Sequence, residues 1–143
     1  MLRALVVDDQ PDVRLLVRWV LEATGFAVAE AESGPAALEA LSGGALADLV
    51  VMDVQMPQMD GWDTLQAIRA NPATADLPVL MCTVKARPED EARGWERGCD
   101  GYVAKPFIVT DLAAAAHAVT SRPEPERARV RVAALAHAQD RMR

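Results

Sequence analysis

The chain has 143 residues, a formal charge of −6 and 51% hydrophobic residues, which suffices for one domain around a single core and leaves no room for a second full-sized one. Its uninterrupted apolar runs are only a few residues long, far below the ~18 needed to span a membrane, and Asp8 and Asp9 interrupt the N-terminus where a secretory signal would stay apolar, so a cytoplasmic protein without membrane contact is expected. Residues 121–143 hold six arginines against Glu124, Glu126 and Asp140, a net of +3 that leaves −9 for residues 1–120; so acidic a body argues against nucleic acid as its direct partner.

In chain order, Leu5-Val6-Val7 reads as a first strand. Pro11 follows at a first-turn position, and Val13, Leu16, Val17, Val20 and Leu21 recur at helical spacing until Gly25, predicting a helix with one buried face. Phe26 to Ala31 reads as a strand, and Ser33-Gly34-Pro35 opens an Ala-rich helix that ends near Ser42-Gly43-Gly44. Leu49 to Met52 is a continuous apolar run, as expected of a strand covered on both faces. After Asp60-Gly61 comes a helix with Trp62, Leu65 and Ile68 inward, closed by Asn71-Pro72. Pro78 opens a fourth strand, Arg87-Pro88-Glu89-Asp90 a helix running to Gly98, and Gly101 to Ala104 is a fifth strand. A fifth helix runs from near Thr110-Asp111 to about Thr120, and beyond Pro123 and Pro125 the segment from Glu126 to Met142 reads as one more helix.

Strands alternating with helices predict a doubly wound parallel sheet of the α/β class, because each parallel connection needs a crossover. Cys82 and Cys99 stand in no CxxC or Cys/His cluster and read as small buried hydrophobes in a reducing compartment. Trp62 reads as core, Trp95 as half buried on the fourth helix, and His117 and His137 as residues without a metal-ligand neighbour.

Four apolar runs each stop at a residue suited to phosphate chemistry: Asp8 and Asp9 after the first, then Asp53, Thr83 and Lys105. Parallel strands bring their C-terminal ends to one edge, where ligands of open α/β sheets bind. A lone Asp after a strand is ordinarily a cap or turn former, but five such positions at strand ends favour a shared site. Two carboxylates ~4 Å apart repel by about 4 kcal/mol at an effective dielectric near 20, so Asp8, Asp9 and Asp53 call for a cation. Mg²⁺ fits, since it takes one or two carboxylates and keeps positions for water and phosphate oxygens. No GxxxxGK[ST] or GxGxxG loop is present to hold a nucleotide. Asp53 therefore reads as a nucleophile toward phosphorus, with Thr83 and Lys105 contacting the phosphoryl oxygens as hydroxyl donor and point charge.

The segments VVDDQ, VVMDVQMPQMDG, LMCT and DGYVAKPF, in that order and with Thr83 and Lys105 30 and 52 residues beyond Asp53, resemble the receiver domain of two-component response regulators. The resemblance covers residues 1 to about 120 and leaves 121–143 as a basic helical tail or linker. It implies a flavodoxin-like five-stranded sheet in the order 2-1-3-4-5, the order of the chemotaxis receiver, and phosphorylation of Asp53 by a histidine kinase or histidine phosphotransfer protein. It further implies Mg²⁺ held by Asp9, Asp53 and the main-chain carbonyl of Gln55, with Asp8 acting directly or through water, and a switch in which Thr83 moves inward and Tyr102 follows. Such a protein is not an enzyme in the ordinary sense, catalysing only its own phosphorylation and dephosphorylation. It works through a downstream protein partner, with a phosphorylation-dependent homodimer as a further expectation.

Val84 stands where the family usually has Ala or Gly, and Gln55 and Lys85 flank the path of an attacking water, so a phosphorylated form lasting minutes or longer is expected. Leu15 and Trp19 lie about 160° from the apolar face of the first helix and, with Phe107 and Ile108, mark the surface on which similar receivers dock a histidine donor. The rival reading lets the tail helix fold back over Trp19. Two other readings of the whole remain open here: a piece of a longer regulator whose effector is absent, and an aspartyl-phosphate phosphatase. Against the latter, Gln55 stands where such enzymes want a second Asp.

Overall fold

The computed structural model describes residues 1–44 and 46–143. Five strands, β1 (Arg3–Val7), β2 (Ala27–Ala31), β3 (Leu49–Met52), β4 (Val79–Thr83) and β5 (Gly101–Ala104), form one parallel sheet in the order β2-β1-β3-β4-β5. The helices are α1 (Pro11–Ala23), α2 (Gly34–Ser42), α3 (Gly61–Ala70), α4 (Pro88–Glu96), α5 (Val109–Ser121) and α6 (Glu126–Arg141). This is the flavodoxin-like arrangement.

The period-two alternation of the strands divides the core into two layers. Val6, Val51, Leu80 and Cys82 face one side of the sheet, with Val17, Leu21, Leu112 and Ala116 of α1 and α5. Val7, Val50, Met52, Val79 and Met81 face the other, with Ala37, Leu65, Ile68 and Cys99. Both cysteines are buried, as is Trp62, while Trp95 packs half buried against the second layer.

Helix starts follow local chemistry. The Ser33 hydroxyl accepts from Ala36 N at 3.1 Å at the head of α2, and the Asp60 carboxylate accepts from Asp63 N at 2.8 Å at the head of α3. α1 and α4 are followed by Gly25 and Gly98 at φ of +104° and +99°, where a side chain would be strained.

One expectation needs correction and one rival reading is excluded. Leu16, assigned above to the buried face of α1, is 44% exposed and lies beside Leu15 and Trp19. The burial of Val17, Val20 and Leu21 centres the inward stripe near Val17, and at about 100° per residue Leu16 then falls at its rim. The tail helix does not cover Trp19 either. α6 packs along α4, the most extensive helix pairing among the described residues, and Trp19 is 61% exposed.

Candidate functional site

The register of the sheet carries β1, β3 and β4 to a common edge. Val7 is paired with Met52 and Met52 with Met81, so the residues that follow emerge side by side. Main-chain bonds extend the alignment one step past the strands: Asp8 N donates to Ala31 O, Asp53 N to Val7 O and Lys105 N to Thr83 O. Each candidate side chain thus begins from a fixed backbone.

Asp8, Asp9 and Asp53 each offer a carboxylate oxygen, and these three atoms lie within 4.8 Å of one another. Asp8 and Asp53 are buried and Asp9 is exposed. Asp8 Oδ1 accepts from Gln10 N at 2.9 Å and Asp53 Oδ1 accepts from Gln55 N at 3.2 Å, which leaves the second oxygen of each for the cluster. Lys105 Nζ reaches both, donating to Asp8 Oδ2 at 2.7 Å and to Asp53 Oδ2 at 3.1 Å. Burial by itself would push this ammonium down, but its hydrogen bond to Asp8 and the charges of Asp53 and Asp8 outweigh it and hold its pKa above the ordinary lysine value.

Gly61, at the start of α3, closes the site from behind. A Cβ there would stand 2.2 Å from the Asp53 carbonyl oxygen, so only glycine lets the helix approach the end of β3 so closely.

Thr83 is fully buried, and its hydroxyl accepts from Lys85 N at 3.1 Å. Tyr102, half buried, donates its hydroxyl to the Lys85 carbonyl at 2.5 Å. A Cβ on Gly94 would meet the Tyr102 ring at 2.8 Å, so α4 rests directly on that ring. Burial, with Asp90, Cys99 and Glu91 nearby, drives the phenol pKa up. Thr83, Lys85, Tyr102 and α4 are therefore linked by consecutive contacts that begin beside the acid cluster.

The comparisons agree with this geometry. The family model of the response regulator receiver domain matches residues 4–117. The chain belongs to the response regulator receiver domain family. It is 35% identical over 127 residues to the DNA-binding dual master transcriptional regulator RpaA of Synechocystis, covering 85% of this chain and 50% of that one. It is 37% identical over 123 residues to the phosphate regulon transcriptional regulatory protein PhoB of Escherichia coli, covering 86% and 53%. This receiver thus spans about half the length of these relatives. The chemotaxis response regulator CheY4 of Vibrio cholerae superposes with a TM-score of 0.77 at 33% identity, covering 83% of this chain and 98% of that one.

The rest of the receiver's sequence-predicted positions are spread more widely. Gln55 is exposed beside Asp53, and Val84 is 57% exposed immediately after Thr83. Leu15, Leu16, Trp19, Ile108 and Val109 are exposed apolar residues of α1 and of the segment entering α5. Phe107 is half buried against the core layer beneath α1 and α5, so the aromatic ring belongs partly to the core.

One cluster escaped the sequence reading. Asp100, with a side chain only 1% exposed, receives Arg69 Nη2 at 2.9 Å and Arg131 Nη1 at 2.5 Å, with Arg127 Nη1 at 3.1 Å in ion-pair range. It also accepts from Val79 N at 2.9 Å. The opposite charge of tail and body was the only trace of it in the sequence. Among the described residues no helix is long and apolar enough to cross a membrane.

Proposed function

We propose that this receiver takes a phosphoryl group on Asp53 from a histidine kinase or a histidine phosphotransfer protein and alters the binding of a downstream protein partner. One observation carries the reading: three carboxylates and an ammonium meet at the edge where the strands end, around the acceptor Asp53. An Oδ atom of Asp53 attacks phosphorus, forming the O–P bond of an acyl phosphate as the P–N bond of the donor breaks. The electron pair of that bond stays on the imidazole nitrogen.

Asp8, Asp9 and Asp53, with the Gln55 carbonyl, are suited to hold Mg²⁺, because a hard cation matches an all-oxygen donor set. When bound, the ion supplies neutralisation of the charge gathered on the transferring group. Lys105 supplies a second positive charge, and its place against Asp8 and Asp53 keeps the two acids together before transfer. The Thr83 hydroxyl, at the end of β4, can donate to a phosphoryl oxygen, and turning toward one would disturb its bond from Lys85 N.

The exposed Leu15, Leu16, Trp19 and Ile108 form the surface offered to the phosphoryl donor. The receiver is cytoplasmic, and its chemistry is confined to its own acyl phosphate. Incubation with Mg²⁺ and acetyl phosphate or phosphoramidate, read by intact mass, should add one phosphoryl group to the wild type and none to Asp53→Asn. A wild type that gains no mass overturns the reading.

A further inference from the structure

We propose that α6 is a detachable cover on α4, held by a charge pin at Asp100, which loading of Asp53 loosens. The trigger rests on the phospho-acceptor reading above; the cover itself does not.

α6 runs antiparallel to α4 and is fixed at two places that belong to different parts of the fold. Near its start, Arg127 Nη1 and Arg131 Nη1 reach Asp100, at the entry to β5, and Arg127 Nη2 donates to Asp76 O at 2.7 Å in the segment before β4. At its far end Arg141 pairs with Glu91, in the first turn of α4. The first attachment is to the sheet and the second to the helix. A displacement of α4 over the sheet cannot preserve both.

The docked helix is also weakly rewarded. Its inward side is led by Arg127 and Ala138, with Val130, Arg131, Ala134 and Leu135 half buried, so guanidinium groups and alanines hold much of the contact and no large apolar side chain of the helix is fully removed from water. Arg127 is 6% exposed, yet its Nε has no hydrogen-bond partner and its Nη1 meets Asp100 only at ion-pair range. Unmet buried N–H groups oppose docking. The body keeps its own hold on Asp100, because Arg69 Nη2 and Val79 N both donate to Oδ2, and only Oδ1, which accepts from Arg131 Nη1, would turn to water. If α6 leaves, the body keeps a paired acid.

The contacts from Thr83, at the site edge of β4, to the cover are consecutive. Thr83 accepts from Lys85 N, the Lys85 carbonyl accepts from Tyr102, and the Tyr102 ring abuts Gly94, which has no side chain to absorb a shift. Movement of Thr83 toward a phosphoryl group displaces that chain and with it α4. A partner helix that reads the bared face needs the chemistry α6 now supplies: arginines four residues apart over Asp100 and a third opposite Glu91.

Hydrogen exchange on the full chain tests this, with beryllofluoride and Mg²⁺ as the phosphoryl mimic and bound fluorine followed by NMR. Undocked, a helix of this length is marginal, so α6 amides in the loaded protein should exchange at least about tenfold faster while the strands keep their protection. The Arg127→Ala/Arg131→Ala variant should show fast α6 exchange without the mimic and an unchanged body. Loaded protein with α6 protection unaltered overturns the trigger. A variant in which the strands lose protection together with α6 overturns the cover, making α6 part of the core. Absence of bound fluorine overturns the phospho-acceptor reading instead, and the variant then decides the cover alone.

Discussion

Lys105 Nζ donates to Asp8 Oδ2 at 2.7 Å, joining the last strand end to the first across the acceptor Asp53. The three side chains are at most 11% exposed, so the ammonium is the charge that allows the two buried acids to coexist. Its removal leaves them facing one another with little water. Lys105→Met should therefore lower stability by about 3 kcal/mol in chelator, in the range for breaking a buried pair from one side. Millimolar Mg²⁺ should restore much of the loss, since it binds the same carboxylates in the folded state only. Urea midpoints with chelator and with Mg²⁺ check this, and a variant as stable as the wild type in chelator contradicts it.

Gly94 and Tyr102 should behave as one unit. A methyl at Gly94 would sit 2.8 Å from the Tyr102 ring, so Gly94→Ala is expected to cost about 1–3 kcal/mol as an overpacked contact. With Tyr102→Ala in the background the added methyl keeps only Cys99 Sγ at 3.4 Å, an ordinary contact distance, and most of that cost should vanish. A double-mutant cycle by urea denaturation should give a coupling of about 1 kcal/mol or more, and additive effects would mean that α4 does not rest on the ring.

Alkaline pH should destabilise the fold through its buried thiols and phenol. Burial raises the Cys82 thiol from 9.0 to about 12, and burial likewise raises Cys99 and Tyr102. Each group holds its proton more tightly folded than unfolded, so its stabilising contribution is complete below the unfolded value and is lost as pH rises through the folded one. For Cys82 that loss runs from 9.0 toward about 12. The urea midpoint should fall steadily between about pH 8 and about pH 10.5, and a flat profile there would contradict the burial of these groups.

Much of this was legible in the sequence because strand ends are marked by a change from apolar runs to Asp, Thr and Lys, and because Pro and Gly punctuate the helices. Asp8, Asp9, Asp53 and Lys105 assemble as that pattern implied, since parallel register leaves strand ends no other place to go. What escaped was contact between elements distant in sequence. The periodicity of α1 put Leu16 inward, but a position at the rim of a stripe is decided by how the helix rolls on the sheet. The tail's arginines told the sign of its partner, not that Asp100 was buried among Arg69, Arg127 and Arg131. Tyr102 was singled out by the resemblance, whereas its bond to the Lys85 carbonyl depends on the loop after β4.

The position of α6 decides how Trp19 should respond to mutation. A cover over the indole would have made Trp19→Ala a core truncation costing about 3–5 kcal/mol. With α6 on α4 and Trp19 61% exposed beside Leu15 and Leu16, the substitution should change stability by no more than about 0.5 kcal/mol. Its effect should fall on the encounter with the phosphoryl donor, because exposed aromatic residues in an apolar patch serve as interface anchors. Phosphotransfer from a histidine donor protein should slow by about tenfold or more, the loss of roughly one anchoring contact. Phosphorylation by acetyl phosphate, which needs no protein surface, should proceed at the wild-type rate. If both donors slow equally, Trp19 acts through the folded structure and the exposed face of α1 is not the docking surface.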